Sequence, residues 1–389
     1  MLTGVNVALG VTGSIAAVKV VELAHELRRR GANVRAVMSK GARGIIHPWA
    51  VEFATDNPVV TEITGQVEHV ELCGRDEWAD VLLIAPATAN TVGKIASAVD
   101  DTPVTTCATT ALGADVPVVI APAMHEPMYD HPGVLDAIER VESWGVDFVE
   151  PRIEEGKAKI ATEDMIALDV ARATGDQPLA GKGVVVTSGA TSEPIDPVRV
   201  LTSRSSGKTG RAVARACYVA GANVALVHDA PDVPYATGVQ VETAEEMTDA
   251  VNDLITAFPA DALVSVAAIS DYTADVESEK IRSGQDLSLD LQPTRKLIDT
   301  VRGNYPGLPI VGFKAETSGD DSAMVTAARE TLARAGCSFV VANDASVMGE
   351  DETRTLFVRE NSVRTYSGSK TELGLQVATE LAEELMDDS

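Results

Sequence analysis

Val5-Asn6-Val7-Ala8-Leu9-Gly10-Val11-Thr12-Gly13-Ser14 is an apolar run that breaks on glycine near the start of the chain. A helical stretch from Ile15 to Arg30 follows, then Gly31-Ala32-Asn33 and a second apolar run, Val34 to Met38. Strand, glycine turn, helix, glycine stop and strand is the order of a βαβ unit. The order returns at Val184-Val185-Val186-Thr187-Ser188-Gly189, with a helix near 210–220. Gly221-Ala222-Asn223-Val224 then repeats Gly31-Ala32-Asn33-Val34. Two segments that open alike imply two separate doubly wound domains. The polar, Gly/Pro-marked stretch from Ala173 to Gly181 reads as their boundary, giving domains 1–175 and 181–389. Short runs rich in Val and Ile at 81–85, 116–121, 262–266, 309–311 and 339–341 read as strands covered on both faces. The tail from Thr371 to Met386 has helical spacing at Leu373, Val377, Leu381 and Leu385. The expected fold class is α/β: two three-layer domains, Rossmann-like or flavodoxin-like, with mainly parallel sheets.

Length agrees, since 389 residues is roughly two domains at about 150 each. With 45% apolar residues the chain can bury ample core. Its charge is unusual: 32 Lys and Arg stand against 58 Asp and Glu, a net of −26. The acid excess runs through both halves. Nucleic-acid binding needs a basic footprint, and the sequence shows none. Lysine is scarce, 11 against 21 arginines. Such a surface repels itself in dilute buffer, and salt at about 1 M, with a Debye length of roughly 3 Å, removes the repulsion. The expectation is a halophilic protein of a salt-rich cytoplasm. Cys73, Cys107, Cys217 and Cys337 lie far apart, so neither a disulfide framework nor a zinc site is expected, and each reads as a small buried hydrophobe. No basic region precedes an apolar stretch at Met1-Leu2-Thr3-Gly4, and no run of about 18 apolar residues suggests a membrane span.

In the first half, Gly10-Val11-Thr12-Gly13-Ser14 hands a strand over to a helix, where exposed N–H groups favour an anion. It is not Gly-x-Gly-x-x-Gly, so a mononucleotide phosphate suits it better than a dinucleotide. A second turn, Ala85-Pro86-Ala87-Thr88-Ala89-Asn90, has small residues that would admit a flat ring and hydrogen-bonding groups at Thr88 and Asn90. Both turns fall outside the carboxyl ends of strands, where open α/β sheets bind ligands. Of six histidines none pair at metal-ligand spacing. His69 sits among acids in Glu68-His69-Val70-Glu71-Leu72, and His125 lies in the Pro-braced loop Pro122-Ala123-Met124-His125-Glu126-Pro127-Met128-Tyr129.

Taken in order, the stretch at 10–17, His69, Pro86-Ala87-Thr88-Ala89-Asn90 and the loop at 122–129 resemble the flavin-dependent phosphopantothenoylcysteine decarboxylases. The resemblance implies FMN as electron acceptor, oxidation of the substrate thiol to a thioaldehyde, and loss of CO2 into that electron sink. It implies FMN contacts at Gly13, Ser14, Ser39, Pro86, Thr88, Asn90 and Thr106, and His69 as a base poised near neutral pH. His125 stands where the family has an Asn that binds the substrate carboxylate, with Met128 beside it as a further substrate contact. The family's Ala-Cys-Gly clamp, whose Cys donates a proton, is replaced by Glu155-Gly156-Lys157-Ala158-Lys159-Ile160. Lys159 is therefore the candidate donor, or a holder of the substrate phosphate.

In the second half, Gly207-Lys208-Thr209 invites a P-loop reading. That pattern needs Gly five residues earlier, and the position is Thr202. What remains is a Ser/Gly nest at a helix start, able to cradle phosphates. The stretch from Pro194-Ile195-Asp196-Pro197-Val198-Arg199 to Ser205-Ser206-Gly207-Lys208 resembles the phosphopantothenate–cysteine ligase signature. It is followed in family order by Ala267 to Tyr272, Glu279-Lys280-Ile281, Gly312 to Thr317 and Val341 to Asp344. With both halves the resemblance covers nearly the whole chain. It implies that CTP activates 4′-phosphopantothenate as an acyl-cytidylate, which cysteine then attacks. Nucleotide contacts are implied at Ser206, Gly207, Lys208, Ala267, Asp271, Lys280, Phe313 and Arg334. Asp271 would also meet Mg2+, and Arg199 and Ser203 would meet substrate. Ser203 replaces a family Asn, and Thr331 and Ala335 replace two lysines, leaving Arg329 and Arg334 as substitutes.

The resemblance further implies trimeric decarboxylase contacts and dimeric ligase contacts, hence a homo-oligomer, up to a dodecamer. Two other readings are disfavoured. A noncatalytic flavin-binding regulator would carry an acidic tail or long insert, and a nicotinamide-dependent reductase would carry the dinucleotide fingerprint.

Overall fold

The computed structural model describes residues 1–154, 157–282, 284, 287–316, 320–344 and 352–387. Within it the chain divides into two compact units, Met1–Gly175 and Asp176–Ser389.

The first unit is built on a five-stranded sheet whose spatial order is Asn33–Met38, Asn6–Val11, Val81–Ala87, Val118–Pro122 and Asp147–Phe148. Every pairing is parallel. The chain's first strand thus has the second on one side and the third on the other, and this reversal creates a switch point between Asn6–Val11 and Val81–Ala87. Val81–Ala87 is buried along its whole length because helices cover both faces of the sheet. The helix Val20–Arg29 presents Val20, Leu23, Ala24 and Leu27 inward, the spacing of one helical face. Each fully buried leucine is worth about 1.5–3 kcal/mol. The chain leaves that helix through Gly31 at φ 98°, where a Cβ would sit 2.8 Å from Thr3 Cα.

The single helix read from Ile15 to Arg30 is in fact two pieces, a 3-10 turn Ile15–Lys19 and then Val20–Arg29. Only Ala17 of the turn is buried, so nothing anchors an apolar face there. A small antiparallel sheet orders Met124–His125, Lys157–Lys159 and Arg152–Glu154 side by side. The helix Glu163–Thr174 closes the unit, capped by Thr162 and packed on the first helix through Lys19–Glu163 and Arg30–Asp164 ion pairs.

The second unit holds an eight-stranded sheet in the order Thr237–Gln240, Asn223–His228, Gly183–Thr187, Ala262–Ser265, Ile310–Glu316, Phe339–Asp344, Glu352–Val358 and Val363–Ser369. The first six are parallel and the last two form an antiparallel hairpin on the edge. The parallel part has the 3-2-1-4-5-6 winding, with its switch point between Gly183–Thr187 and Ala262–Ser265. The last helix, Lys370–Asp387, buries Leu373, Val377, Leu381 and Leu385. It lies so close on the helix Lys208–Val219 that a Cβ on Gly374 would come within 2.4 Å of the Ala212 carbonyl oxygen. The hairpin is pinned by Arg359, whose guanidinium lies 4.9 Å from the Phe339 ring centre while it pairs with Glu380 at 2.7 Å.

All four cysteines are free and buried. The Cys73 thiol is raised by its hydrogen bond to Cys107 and by burial. Burial pushes Cys217 up to about 12 and Cys337 up to about 11. Among the described residues no helix is long and apolar enough to cross a membrane.

Candidate functional site

At the first unit's switch point, three loops leaving strand ends are tied to one another. The Thr12 hydroxyl donates to the Pro86 carbonyl at 2.7 Å and accepts from the Thr88 N–H at 3.2 Å. The Ser14 hydroxyl donates to the Ala123 carbonyl at 3.0 Å and accepts from the Ala16 N–H at 3.4 Å. Gly13 faces Gly41, where a Cβ would fall 3.1 Å from Gly41 Cα, so the loop after Asn33–Met38 closes on the same point. Ser39 begins that loop and caps Lys40–Arg43 through the Ala42 N–H. Thr88 caps Ala89–Ala96, with Asn90 exposed in its first turn, and the Ala85–Pro86 bond is cis. The structure therefore brings Gly13, Ser14, Ser39, Pro86, Thr88 and Asn90 to one end of the sheet. Thr106 lies in the first turns of Pro103–Gly113, its hydroxyl directed to the Thr102 and Asp100 carbonyls.

His69 belongs to the helix Glu68–Cys73, which packs on Pro103–Gly113. The chain enters that helix at Val67 with φ 52° and ψ 47°. A β-branched residue seldom adopts this left-handed conformation, which costs about 1–3 kcal/mol. Glu68 fixes the turn by accepting from both the hydroxyl and the N–H of Thr64, and those bonds hold its carboxyl below the usual range. The next residue, His69, is half-buried, and its Nδ1 is buried with no hydrogen-bond partner. Buried ring nitrogens are normally satisfied, so an orphan is informative. Pairing of Met124–His125 with Lys157–Lys159 brings His125 and Lys159 onto one small sheet, although Glu155 and Gly156 of the clamp stretch lie outside the described residues. His125 and Met128 are exposed on the loop that follows Val118–Pro122.

The second unit carries a cavity of about 360 Å3 at its own switch point. The loops around it are stitched by threonines. Thr187 Oγ1 accepts from the Val266 and Ala267 N–H groups at 3.0 and 3.1 Å, and Thr191 Oγ1 accepts from the Ser270 N–H at 2.9 Å. Gly207, at φ 70°, starts the helix Lys208–Val219, and the Ser188 hydroxyl donates to its carbonyl at 2.9 Å. A Cβ on Gly210 would come within 2.6 Å of Ser188 Cβ, so glycine there lets helix and strand end meet. The wall gathers Ser206, Gly207, Lys208 and Ala267 on this side, and Asp271, Phe313 and Arg334 beyond them.

Arg199, Ser203 and Lys280 lie outside that wall. Arg199 pairs with the buried Asp196, whose carboxylate also accepts from the Val198, Arg199 and Ile281 N–H groups at 2.8, 2.9 and 3.1 Å. Burial alone would raise Asp196; these donors outweigh it and hold the carboxyl low. Lys280 is exposed on the segment that Ile281 anchors to Asp196. Ser203 is exposed and accepts from the Ser205 N–H.

Sequence reading missed the cavity's charge. Among the described residues, Lys208, Arg295, Lys296, Lys314, Arg334 and Lys370 line it against one carboxylate, Asp271, in a chain of net −26. Asp271 is ion-paired to Lys296, which ends the loop before Leu297–Asn304. A concentration of cations against the chain's overall sign selects anions. Among the described residues no group of three or more His, Cys, Asp or Glu could hold a metal ion.

Comparison with known proteins agrees with this two-part architecture. Residues 1–174 match the Flavoprotein family, and residues 179–386 match the C-terminal domain of the DNA/pantothenate metabolism flavoproteins. The chain is 48% identical over 391 residues to the coenzyme A biosynthesis bifunctional protein CoaBC of Thermococcus kodakarensis, covering 100% of this chain and 95% of that one. It is 34% identical to the CoaBC protein of Methanocaldococcus jannaschii, covering 97% and 93%. A solved C-terminal domain of a CoaBC protein superposes with TM-score 0.46 at 27% identity, over 55% of this chain and 100% of that one. Matched by the Thermococcus protein over 100% of its length and by the Methanocaldococcus protein over 97%, the chain belongs to the family of bifunctional coenzyme A biosynthesis proteins, CoaBC.

Proposed function

We propose that residues 1–175 are the FMN-dependent phosphopantothenoylcysteine decarboxylase and residues 181–389 the CTP-dependent phosphopantothenate–cysteine ligase. One chain then performs two consecutive steps of coenzyme A biosynthesis: ligation of 4′-phosphopantothenate with cysteine, then decarboxylation of the product to 4′-phosphopantetheine. The observation that carries this reading is the cation-lined cavity of about 360 Å3 at the second unit's switch point, joined in the first unit by strand-end turns tied to one another and by the unpartnered Nδ1 of His69.

The first site fits FMN. Its turns, held together by the Thr12 and Ser14 hydroxyls, set backbone at the strand ends suited to a phosphate, and Ile15, 78% exposed just beyond Ser14, offers apolar surface to a flat ring. Gly13, Ser14, Ser39, Pro86, Thr88, Asn90 and Thr106 would hold it. Bound there, FMN supplies a two-electron acceptor for the substrate thiol. His69 takes the thiol proton at Nδ1. His125 and Met128 hold the substrate, and Lys159, on the strand paired with Met124–His125, returns a proton from Nζ.

In the second site Ser206, Gly207, Lys208 and Arg334 hold phosphate groups, while Ala267 and Phe313 face the base. From the segments tied to Asp196, Lys280 meets the nucleotide, while Arg199 and Ser203 serve substrate. Asp271 alone does not make a resident metal site. Among the described residues Mg2+ fits only as a partner of nucleotide phosphates, with Asp271 as its one carboxylate in the wall. The decisive assay supplies 4′-phosphopantothenate, cysteine and CTP in high salt and weighs the product. Phosphopantetheine is the expected product; phosphopantothenoylcysteine alone would overturn the decarboxylase half, and unreacted substrate the ligase half.

The acidic, lysine-poor composition further supports a halophilic, cytoplasmic protein. Exposed Ile15, Val18, Trp49 and Phe53 support homo-oligomeric contacts of the first unit; the trimeric and dimeric contacts of a dodecamer are proposed from the family resemblance. In 2–3 M KCl, on the order of the salinity that collapses the Debye length, the melting temperature should rise and light scattering should report a multiple of the chain mass. A melting temperature independent of salt would refute the halophilic assignment.

A further inference from the structure

The inner wall of the second unit's cavity presents an acceptor that nothing among the described residues satisfies. Asn343, at the carboxyl end of Phe339–Asp344, lines the cavity. Its Oδ1 is buried and has no hydrogen-bond partner. Thr355, directly opposite on the antiparallel neighbour, is fully buried with an equally unpartnered Oγ1. Native folds keep few such groups, because a buried carbonyl without a donor is destabilising.

One neighbour indicates what the donor is. Phe313 is the single aromatic residue among the described wall residues. Phe313 is in register with Val341 and Ala315 with Asn343, so the two-residue period of a strand puts Phe313 and Asn343 on the same face of the sheet. One strand and one two-residue step separate them, roughly 8 Å between Cα atoms. A flat ring laid against Phe313 therefore brings its edge to Asn343. The cationic side chains of the wall meet phosphate; Asn343 asks for a neutral N–H.

We propose that Asn343 reads the nucleobase: its Oδ1 accepts a hydrogen bond from an exocyclic amine, the group cytosine presents and uracil replaces with a carbonyl. Uracil would set carbonyl against carbonyl and leave both unpaired, which is how a buried acceptor rejects the wrong ligand more strongly than it rewards the right one. The proposal rests on the ligase reading of this unit and makes Asn343 its specificity-determining residue.

The full chain is assayed for ligation, and calorimetry measures binding, with CTP, UTP and the 4-deamino analogue of CTP, which lacks the amine and adds no bulk. The native protein should favour CTP over UTP by about a hundredfold or more in kcat/KM, and the 4-deamino analogue should bind about tenfold or more weakly than CTP. Asn343→Leu should lose about tenfold for CTP with little change for UTP, while Asn343→Asp, which keeps an acceptor, should retain the preference. An unchanged CTP:UTP ratio in Asn343→Leu, or equal binding of CTP and its 4-deamino analogue by the native protein, overturns the assignment. The analogue experiment needs no variant, so a misfolded Asn343→Leu does not shelter the idea. Absence of ligation with every nucleotide overturns the ligase reading itself.

Discussion

His69→Asn should lower the rate of CO2 release from 4′-phosphopantothenoylcysteine by about a hundred- to ten-thousandfold, the range a positioned proton acceptor contributes. The expectation follows from the unpartnered Nδ1 and from the turn that presents it, with Val67 left-handed and Glu68 bound to Thr64. Asparagine occupies similar space and keeps a polar end, but it cannot take up a proton. The flavin contacts lie on other loops, so the purified variant should remain yellow. Ligation should continue, and phosphopantothenoylcysteine should accumulate in the coupled assay. Native rates of CO2 release in the yellow variant would remove His69 from the chemistry.

The opposite separation is expected at Asp196. Asp196→Ala removes a buried carboxylate that joins three backbone N–H groups and Arg199, and those donors are left without an acceptor. The segment carrying Lys280 and the loop carrying Arg199 then lose their common anchor. Misplacing reacting groups by about 1 Å costs on the order of a hundredfold, so ligation should fall at least that far. Decarboxylation of supplied phosphopantothenoylcysteine should be unchanged. A pH test accompanies it. Because the folded carboxyl sits below its ordinary value, its stabilising contribution is present above roughly pH 4, the unfolded range, and is lost as pH falls through the lowered folded value. The second unit of the native chain should therefore loosen in acid at a pH where Asp196→Asn shows no matching transition. Normal ligation by Asp196→Ala would dismiss the anchor.

The fold's frame was legible because it is written locally. Apolar runs ending on glycine, and the repeated Gly-Ala-Asn-Val, mark where each unit turns from helix to strand. The tail helix was equally plain, its leucines and valine spaced to bury one face. What local pattern could not show is pairing across distance. The hairpin Glu352–Val358 and Val363–Ser369 depends on partners on another strand, and Val363–Ser369 is largely exposed, so it carries little apolar signature. The small sheet holding Met124–His125 depends on Lys157–Lys159 more than thirty residues on. At the sites, residues in glycine-rich turns stood out, while Arg295, Lys296 and Lys370 did not. A lone basic residue looks like any solvated one until the fold turns it toward a cavity. Asn343 was seen only as part of a longer stretch, since an unsatisfied carbonyl has no signature in sequence.

The sealed thiols have a practical consequence. Cys73 and Cys107 lie buried inside the first unit, Cys217 and Cys337 inside the second, out of reach of solvent, and burial pushes the Cys217 and Cys337 thiols up. An alkylating reagent can reach them only when the surrounding core opens. Counting adducts by mass after timed exposure turns the native chain into two independent clocks, one for each unit, with no tag added.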